Sequence, residues 1–309
     1  MRSQLEIAGA EADFKEKVLM RTGTVHANGI DIAYDAFGDD ADRPLVLVMG
    51  LGAQRLAWAD EICEDLAAAG RYVVRFDNRD VGESTHFAEL GPPTVVDVLR
   101  GRPPYRLEDM ADDLIGLLDA LSIDAADVVG VSLGGFIAQV AAIRNSGRVR
   151  TLTLLMTSTG SRRVGRPSPH VAVRLLRRRR VNSKAEAVDK AVAVSKIIGS
   201  PAYPFDEDHV RYFASASYDR AYDPDGVRRQ MAAGLCQRDR TDALRRLDIP
   251  TLVIHGLADP LVSITGGLAI ADAIPGAKFL GFAGMGHNVP QPLWAPMSDE
   301  LIAHTGGRS

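Results

Sequence analysis

The sequence has few cysteines, no excess of positive charge and no long apolar run, and each absence excludes a class of protein. Cys63 and Cys236 lie far apart and outside any CxxC pair, so we expect reduced thiols and neither a disulfide framework nor a cysteine metal site. No stretch reaches the roughly 20 apolar residues that span a bilayer. A formal net charge of −4 argues against a general nucleic-acid-binding protein.

The amino-terminal segment carries no signal-peptide pattern, because residues 1–20 mix charged and apolar side chains evenly. We interpret them as an amphipathic helix or arm, and we expect a soluble, cytoplasmic protein without a nucleic-acid or membrane partner. The basic run Arg177–Arg180 is interpreted as a solvated helix face, because the chain as a whole is acidic. The sequence carries no indication of an oligomeric state.

What the sequence does contain is a regular alternation of short apolar runs and helical segments. Leu45–Met49 is wholly apolar, which predicts a central strand buried on both faces. Asn28-Gly29 between two short runs predicts a hairpin turn. Further strands are predicted at Tyr72–Phe76, Val128–Val131, Val149–Met156, Thr251–His255 and Ala277–Leu280, and helices at Arg55–Ala69 and Leu107–Leu121. The alternation predicts an α/β fold with a mostly parallel sheet and helices on both faces.

One long interval interrupts the alternation. From about Gly160 to Leu247 no strand is predicted, and helical stretches follow one another at Val171–Arg180, Lys184–Ile198, Asp208–Ser217 and Asp225–Ala233. We therefore predict a helical cap at residues 160–247, packed over the carboxyl edge of the sheet. Residues 21–159 and 248–309 are predicted to form the α/β core.

The most specific motif places a serine between a strand and a helix. Gly130-Val131-Ser132-Leu133-Gly134-Gly135 follows the apolar run Ala126–Val129 and precedes the helical stretch Phe136–Ile143. A sharp turn here predicts a strained backbone at Ser132 and a hydroxyl raised above the sheet edge. Since a serine hydroxyl is a weak nucleophile without a neighbouring base, the motif requires a carboxylate and then a histidine later in the chain.

Two titratable residues meet that requirement. Open α/β sheets bind ligands at the carboxyl ends of their strands. Asp259 follows one predicted strand, and His287 lies in a glycine-rich loop after the last one, so the chain order is Ser132, Asp259, His287. His255 is a rival base, but it belongs to the strand end itself, and we favour His287.

The predicted chemistry gives each residue a role. His287 takes the proton of Ser132 and returns it to the leaving group, while Asp259 fixes the imidazole tautomer. The oxyanion needs two preorganised donors. We predict the backbone N–H groups of Leu133, at the start of the helix, and of Leu51, in the glycine-rich loop after the first central strand.

These motifs together resemble the α/β-hydrolase superfamily, over roughly residues 24–304. The segments that carry the resemblance are Gly130–Gly135, His255–Asp259 and Gly286-His287. Within the superfamily, Val48–Gln54 and Asp77–Thr85 are similar to the branch of the aclacinomycin-type methylesterases, with proline iminopeptidases and small carboxylesterases as neighbours. Met49-Gly50 stands where many members carry His-Gly, which puts in question how this loop is hydrogen-bonded. Arg79, Asp80 and Ser84 of the second segment are interpreted as a structural brace.

The resemblance implies an eight-stranded sheet, a helical cap after the sixth strand and no cofactor. We predict a serine hydrolase that cleaves a carboxylic ester of a small apolar molecule through an acyl-enzyme. An aminopeptidase-type amidase, a lactonase, a perhydrolase or a ligand receptor on the same fold stay open, because fold does not determine reaction. The aminopeptidase would need an acid in the cap, for which the candidates are Asp206, Glu207, Asp208 and Asp219.

Overall fold

A computed structural model describes residues 19–176 and 181–306 of the chain. Within these residues the chain forms eight strands and eleven α-helices. Most of the predicted amino-terminal arm and the whole basic run Arg177–Arg180 lie outside the described residues. None of the described helices is both long and apolar enough to cross a membrane.

All eight strands belong to one sheet, with the order β1-β2-β4-β3-β5-β6-β7-β8. The strands are β1 (Met20–Ala27), β2 (Ile30–Phe37), β3 (Arg43–Val48), β4 (Arg71–Phe76), β5 (Ala126–Val131), β6 (Val149–Leu155), β7 (Thr251–Gly256) and β8 (Lys278–Phe282). The β1–β2 and β2–β4 pairs are antiparallel and all other pairs are parallel. The predicted α/β class, mostly parallel sheet and eight strands are confirmed.

The hairpin and the strand order both bear on the position of the site. Asn28 and Gly29 have φ of 51° and 76°, as a tight two-residue hairpin turn requires. After β3 the chain adds β4 on one side and β5 on the other, so the order reverses at β3. Ligands of open α/β sheets bind at such a switch point. The loops after β3 and β5 therefore meet at the edge where a site is expected.

The helices cover both faces of the sheet. They are α1 (Asp60–Ala68), α2 (Val95–Leu99), α3 (Leu107–Ala120), α4 (Leu133–Arg144), α5 (Pro169–Leu176), α6 (Lys184–Ile198), α7 (Glu207–Arg220), α8 (Pro224–Leu235), α9 (Thr241–Leu244), α10 (Thr265–Ala273) and α11 (Trp294–His304). Residues of α3, α4 and α10 share one apolar cluster, whereas residues of α1 and α11 share the other.

Strand β3 shows how the two faces are filled. Val46 and Val48 belong to the cluster with α3 and α4, and Leu45 and Leu47 belong to the cluster with α1 and α11. All four side chains have no exposed surface. Successive strand residues point to opposite faces, so an unbroken apolar run is what a strand between two helical layers needs.

The segment 156–250 connects β6 to β7, and its described part contains helices α5 to α9. Helix α7 is tied to the sheet side of the molecule by Arg220, whose guanidinium contacts Asp77 at 2.9 Å and Gln54 at 2.7 Å. Gln54 in turn donates hydrogen bonds to backbone carbonyls at the end of α7, at 2.8 and 3.1 Å. These contacts hold the helical segment against the loops that follow β3 and β4.

The predicted helix Arg55–Ala69 is wrong in its first part. Residues Arg55–Ala57 form a 3₁₀ turn, and Trp58 has extended backbone angles (φ −82°, ψ 106°) before α1 begins at Asp60. Tertiary contacts of Arg55 prevail over the helical pattern here. Its backbone N–H donates to the Asp77 carboxylate at 2.7 Å and its guanidinium donates to Glu83 at 2.9 Å, so the turn is anchored to the loop after β4.

Candidate active site

The backbone at Ser132 is strained in the way the motif predicts. Ser132 has φ of 54° and ψ of −115°, and its N–H donates to the carbonyl oxygen of Leu155 at 2.9 Å. The turn brings α4 very close to the strands, and this approach is possible only because residue 134 is a glycine. A methyl group on Gly134 would lie 2.2 Å from the carbonyl oxygen of Val48, which no real contact allows. Strand β5 and helix α4 thus fix Ser132 at the carboxyl edge of the sheet.

The three residues predicted from distant parts of the chain are brought together. The Ser132 Oγ lies 3.1 Å from Nε2 of His287, and Nδ1 of His287 lies 2.7 Å from Oδ2 of Asp259. Nδ1–H donates to the carboxylate, which leaves Nε2 as the acceptor for the serine hydroxyl. The arrangement is a continuous hydrogen-bond chain from a carboxylate to a hydroxyl, which is the geometry of a nucleophile with its base and orienting acid.

The carboxylate of Asp259 is buried, and both of its oxygens accept hydrogen bonds. Its Oδ1 accepts the backbone N–H groups of Leu261 and Val262 at 2.8 and 2.9 Å, while Oδ2 faces His287. The side chain has no exposed surface. Two N–H donors fix the rotation of the carboxylate, so Oδ2 stays aimed at the imidazole.

His255, the rival base, has a different position. Its Nε2 donates to the carbonyl oxygen of Val262 at 2.8 Å and lies 3.8 Å from Oδ2 of Asp259. Burial lowers the pKa of the His255 imidazole, and its Nδ1 has no hydrogen-bond partner among the described residues. This histidine supports the loop that carries Asp259, and the hydrogen bond from Ser132 goes to His287.

The loop of His287 is anchored by the helical segment between β6 and β7. The N–H of His287 donates to the carbonyl oxygen of Ile198, the last residue of α6, at 2.7 Å. The N–H of Gly286 donates to Oγ of Ser200 at 2.9 Å, and Ser200 donates to the side chain of Asn288 at 2.8 Å. The position of the imidazole therefore depends on α6 as well as on β8.

The two predicted oxyanion donors lie in the loop after β3 and at the start of helix α4. The backbone N–H groups of Leu51 and Leu133 have no acceptor among the described residues, whereas the N–H groups of their neighbours Gly52 and Ser132 are both hydrogen-bonded. Gly50 lies against the serine, since a methyl group there would be 3.3 Å from Cβ of Ser132. Free N–H groups beside a nucleophile can stabilise an oxyanion.

The loop after β3, where Met49 stands in place of the histidine that the resemblance leads us to expect, is held by side chains from elsewhere in the chain. Asn78 donates its side-chain N–H to the carbonyl oxygen of Met49 at 2.9 Å. At the other end, the N–H of Gly52 donates to Oε1 of Gln230 at 2.8 Å. Asn78 and Gln230 were not among the residues predicted from the sequence. Asn78 stands inside a motif that carries the resemblance, but a glutamine on a distant helix gives no comparable signal.

The polar loop after β4 is a structural brace, as predicted. Arg79 makes two hydrogen bonds to Asp113 of α3, at 2.6 and 2.7 Å. Oγ of Ser84 donates to the carbonyl oxygen of Asp77 at 2.6 Å and accepts from the N–H of Ala33 at 3.0 Å. These bonds tie the loop to β2 and α3.

Asp80, His86 and Asp223 place their ligand atoms within 4.8 Å of one another, a separation that a metal ion could bridge. The guanidinium of Arg229 already donates to both carboxylates, at 2.8 to 2.9 Å. His86 adds a contact of 3.0 Å to Asp223. A guanidinium placed among these oxygens opposes a second cation, so we interpret the group as an ion-pair network.

A cavity of about 280 Å³ lies between the helical segment and the loops after β3 and β4. Its wall combines small apolar side chains, two stacked tyrosines and a few polar groups, contributed by Gly52, Gln54, Asp80, Val81, Gly82, His86, Ala187, Ala191, Ala214, Ser217, Tyr218, Ala221, Tyr222, Asp223, Pro224 and Val227. The wall reaches Gly52, the neighbour of Leu51. A ligand here would lie beside the loop that flanks Ser132.

Comparison with known proteins identifies the family of the chain. Residues 43–290 match the family model of the alpha/beta hydrolase fold. The chain is 28% identical to the rhodomycin D methylesterase DauP of Streptomyces sp. (strain C5), over 93% of this chain and 98% of that protein. It is 26% identical to 3-oxoadipate enol-lactonase 2 of Acinetobacter baylyi, over 81% of this chain and 84% of that protein.

Solved structures share the fold. The enol-lactonase from Burkholderia xenovorans LB400 aligns with a TM-score of 0.69 at 22% identity, over 92% of this chain and 99% of that one. An esterase from Rhodococcus sp. ECU1013 aligns with a TM-score of 0.67 at 21% identity, over 94% of this chain and 99% of that one. The predicted resemblance to the superfamily and to its methylesterases is confirmed, and the chain belongs to the α/β-hydrolase family.

Proposed function

We propose that this protein is a serine esterase that hydrolyses a carboxylic ester through an acyl-enzyme. The single observation that carries the proposal is the unbroken hydrogen-bond chain from Asp259 through His287 to Ser132. The comparisons add a second support, because the chain is similar to two rhodomycin D methylesterases over nearly its full length and theirs.

In the proposed reaction each group has the same role in acylation of the serine and in hydrolysis of the acyl-enzyme. Oγ of Ser132 attacks the ester carbonyl carbon while Nε2 of His287 takes the hydroxyl proton, and Asp259 stabilises the imidazolium. The carbonyl oxygen becomes an oxyanion that accepts the N–H groups of Leu51 and Leu133. When the tetrahedral intermediate collapses, the C–O bond to the alcohol breaks and His287 returns the proton to that oxygen. A water molecule then repeats the sequence on the acyl-enzyme and releases the acid.

We propose that residues 160–247 act as the cap of this site and residues 21–159 and 248–309 as its core. The cavity beneath the helical segment is walled by alanines and by Tyr218 and Tyr222, whose rings stack at 4.7 Å between centroids. Such a wall favours a small, largely apolar substrate with a few polar groups. The two free cysteines agree with a reducing compartment, so we propose a cytoplasmic enzyme acting on a small-molecule ester.

A lactone is the second candidate substrate, because an enol-lactonase is among the relatives that cover most of the chain. The same steps apply, with the leaving alcohol tethered to the acyl group. The aminopeptidase alternative has no such support. Asp206 caps α7, while Glu207 pairs with Lys196 and Asp219 with Lys184, and within the described residues neither these acids nor Asp208 line the cavity. Asp223 does line it, but its carboxylate is already paired with Arg229 at 2.9 Å.

The proposal is tested by replacing the nucleophile. Ser132→Ala should lower turnover of a short-chain p-nitrophenyl ester by at least about 1,000-fold and leave the circular dichroism spectrum unchanged. Ser146→Ala, which changes an exposed serine, is the matched control and should retain wild-type turnover. Turnover by Ser132→Ala within tenfold of wild type would refute the proposal. Lactones and linear esters of equal acyl length, compared by kcat/KM, separate the two candidate substrates.

A further inference from the structure

Helix α8 touches both segments that carry the proposed oxyanion donors, which are the loop after β3 and the start of helix α4. A methyl group on Gly52 would lie 3.0 Å from both methyl carbons of Val227, so this side chain packs directly on the residue after Leu51. A methyl group on Gly234 would lie 3.3 Å from Cδ1 of Leu133. Spacings of three and four residues place Val227, Gln230 and Gly234 on one face of the helix. That face lies against the loop after β3 and the start of α4.

Gln230 makes the one side-chain hydrogen bond from this face to the loop of Leu51 among the described residues. It is fully buried, its Oε1 accepts the N–H of Gly52 at 2.8 Å, and its Nε2 donates to the carbonyl oxygen of Arg79 at 2.7 Å. The two partners require opposite ends of the amide, so its orientation is determined. The Arg79 loop is itself fixed to α3 through Asp113. Gln230 therefore holds the N–H of Gly52 in a fixed position relative to the Arg79 loop.

The direction of the Leu51 N–H depends on its own peptide, whose Gly50 carbonyl oxygen accepts the N–H of Ala53 at 3.3 Å, and on the peptide groups on either side. The carbonyl oxygen of Met49 is held by Asn78 at 2.9 Å, and the N–H of Gly52 is held by Gln230. Gly52 has φ of 67°, and because glycine adopts other backbone angles as readily, its own conformation does not fix the adjoining peptide. Without the bond to Gln230, the peptide between Leu51 and Gly52 would lose its buried partner and could rotate. An oxyanion donor is effective only when it is fixed before the charge develops.

We propose that Gln230 is a positioning residue for the oxyanion hole, through which helix α8 fixes the backbone donor of Leu51. This inference rests on the proposed function, because an oxyanion hole has a role only if Ser132 attacks a carbonyl. Gln230 touches no reacting atom and acts through Gly52. The cap segment, which forms part of the cavity wall, would thereby also take part in transition-state stabilisation.

The test is Gln230→Met, which keeps a similar volume and removes both hydrogen bonds. Because a displaced donor weakens only transition-state binding, kcat for a p-nitrophenyl ester should fall about 10- to 100-fold while KM stays within about threefold of wild type. The affinity for an aliphatic trifluoromethyl ketone, which forms a tetrahedral adduct with the serine, should fall by the same factor as kcat/KM. Met231→Ala on the exposed side of α8 is the control and should match wild type.

A merely structural role predicts something else. A less stable but correctly assembled enzyme would show a lower melting temperature with an unchanged kcat per folded molecule and unchanged ketone affinity, and that result would overturn the proposal. If Gln230→Met does not fold, the crystal structure of the wild-type ketone adduct decides. Retention of the Gly52–Gln230 bond, with the Leu51 N–H donating to the adduct oxygen, is the expected result, and loss of either contact overturns the proposal.

Failure of the proposed function has a different signature from failure of this inference. Wild-type enzyme that neither hydrolyses esters in a Ser132-dependent way nor forms the ketone adduct contradicts the proposed function itself. Wild-type enzyme that does both, beside a folded Gln230→Met that equals it in kcat and ketone affinity, contradicts only the role of Gln230.

Discussion

Arg229 and Asp80 form a buried two-pronged ion pair, although 149 positions separate them in the sequence. Nε and Nη2 of Arg229 donate to the two oxygens of Asp80 at 2.9 and 2.8 Å, and neither side chain is more than 1% exposed. Asp80 has φ of 69° and also accepts the N–H of Phe87 at 2.8 Å. The pair attaches α8 to the loop after β4 and so sets the position of the helix face that bears Gln230.

Breaking this pair should strongly destabilise the fold. Arg229→Met leaves the carboxylate of Asp80 buried without its counter-charge, so we expect the free energy of unfolding to fall by about 3–5 kcal/mol. Urea denaturation measures it. Arg228→Met is the matched control: Arg228 is 44% exposed and, among the described residues, pairs with Asp225 on the helix surface, so its loss should cost less than about 1 kcal/mol. Equal costs for the two variants would contradict the account.

The close approach of α4 to the sheet makes a second prediction. Gly134→Ala would push a methyl group to 2.2 Å from the carbonyl oxygen of Val48, and both groups are backbone that cannot move independently. We expect the variant to be destabilised by more than about 3 kcal/mol or to fail to fold. Gly147→Ala, at a position with nothing within 4 Å, should change stability by less than about 0.5 kcal/mol. A Gly134→Ala protein with wild-type melting behaviour would be the contrary result.

His255 should make the protein less stable in mild acid. Burial lowers its pKa below the ordinary value of 6.5, so the unfolded chain binds this proton more readily than the folded one. The neutral imidazole therefore contributes its full stability above pH 6.5. That contribution is lost as the pH falls through 6.5 toward the lowered pKa of the folded state. His304 has the same sign, whereas the pKa of His86 is raised and acts in the opposite direction.

His255→Gln isolates this contribution, because the other histidines remain in both proteins. Gln cannot take up the proton, so the stability difference between wild type and variant should shrink between about pH 7.5 and about pH 5.5. Urea denaturation at both values measures it. A difference that stays constant or grows in acid would show that His255 does not titrate as expected.

The two thiols should differ sharply in reactivity. Burial raises the pKa of Cys63 to about 12, and the side chain has no exposed surface. Cys236 is half-buried. Since the thiolate is the reactive form, a disulfide reagent at neutral pH should label Cys236 in the native protein and reach Cys63 only after denaturation. Peptide mapping after native labelling checks this, and rapid modification of Cys63 would contradict it.

Sequence patterns located the strands, and three side chains that the fold brings together, for a local reason. Buried parallel strands are continuous apolar runs, and Ser132, Asp259 and His287 each follow such a run or lie in a glycine-rich loop after one. Helices were harder to predict where contacts with neighbouring elements determine which residues the helix contains. Helix α10 begins with Thr265-Gly266-Gly267, which argues against a helix, yet a methyl group on Gly267 would lie 2.6 Å from Nδ1 of His255. Glycine is required there by a neighbour that the sequence does not identify.

Long-range hydrogen bonds were beyond sequence reasoning. The bond between Gly52 and Gln230 joins residues 178 positions apart, and helix α8 was predicted from the sequence without any indication of what its buried face contacts. A buried glutamine resembles an exposed one in the sequence. Only the packed structure shows that its amide ends on the loop beside the nucleophile.

The most direct measurement of the central claim is covalent labelling with a fluorophosphonate followed by intact-mass and peptide mass spectrometry. The account predicts one adduct per chain, located on Ser132, with ester turnover lost in proportion to labelling. His287→Ala, which lacks the base 3.1 Å from Oγ, should label at least about 100-fold more slowly. Full labelling of another residue, or undiminished turnover by a protein labelled at Ser132, would contradict it.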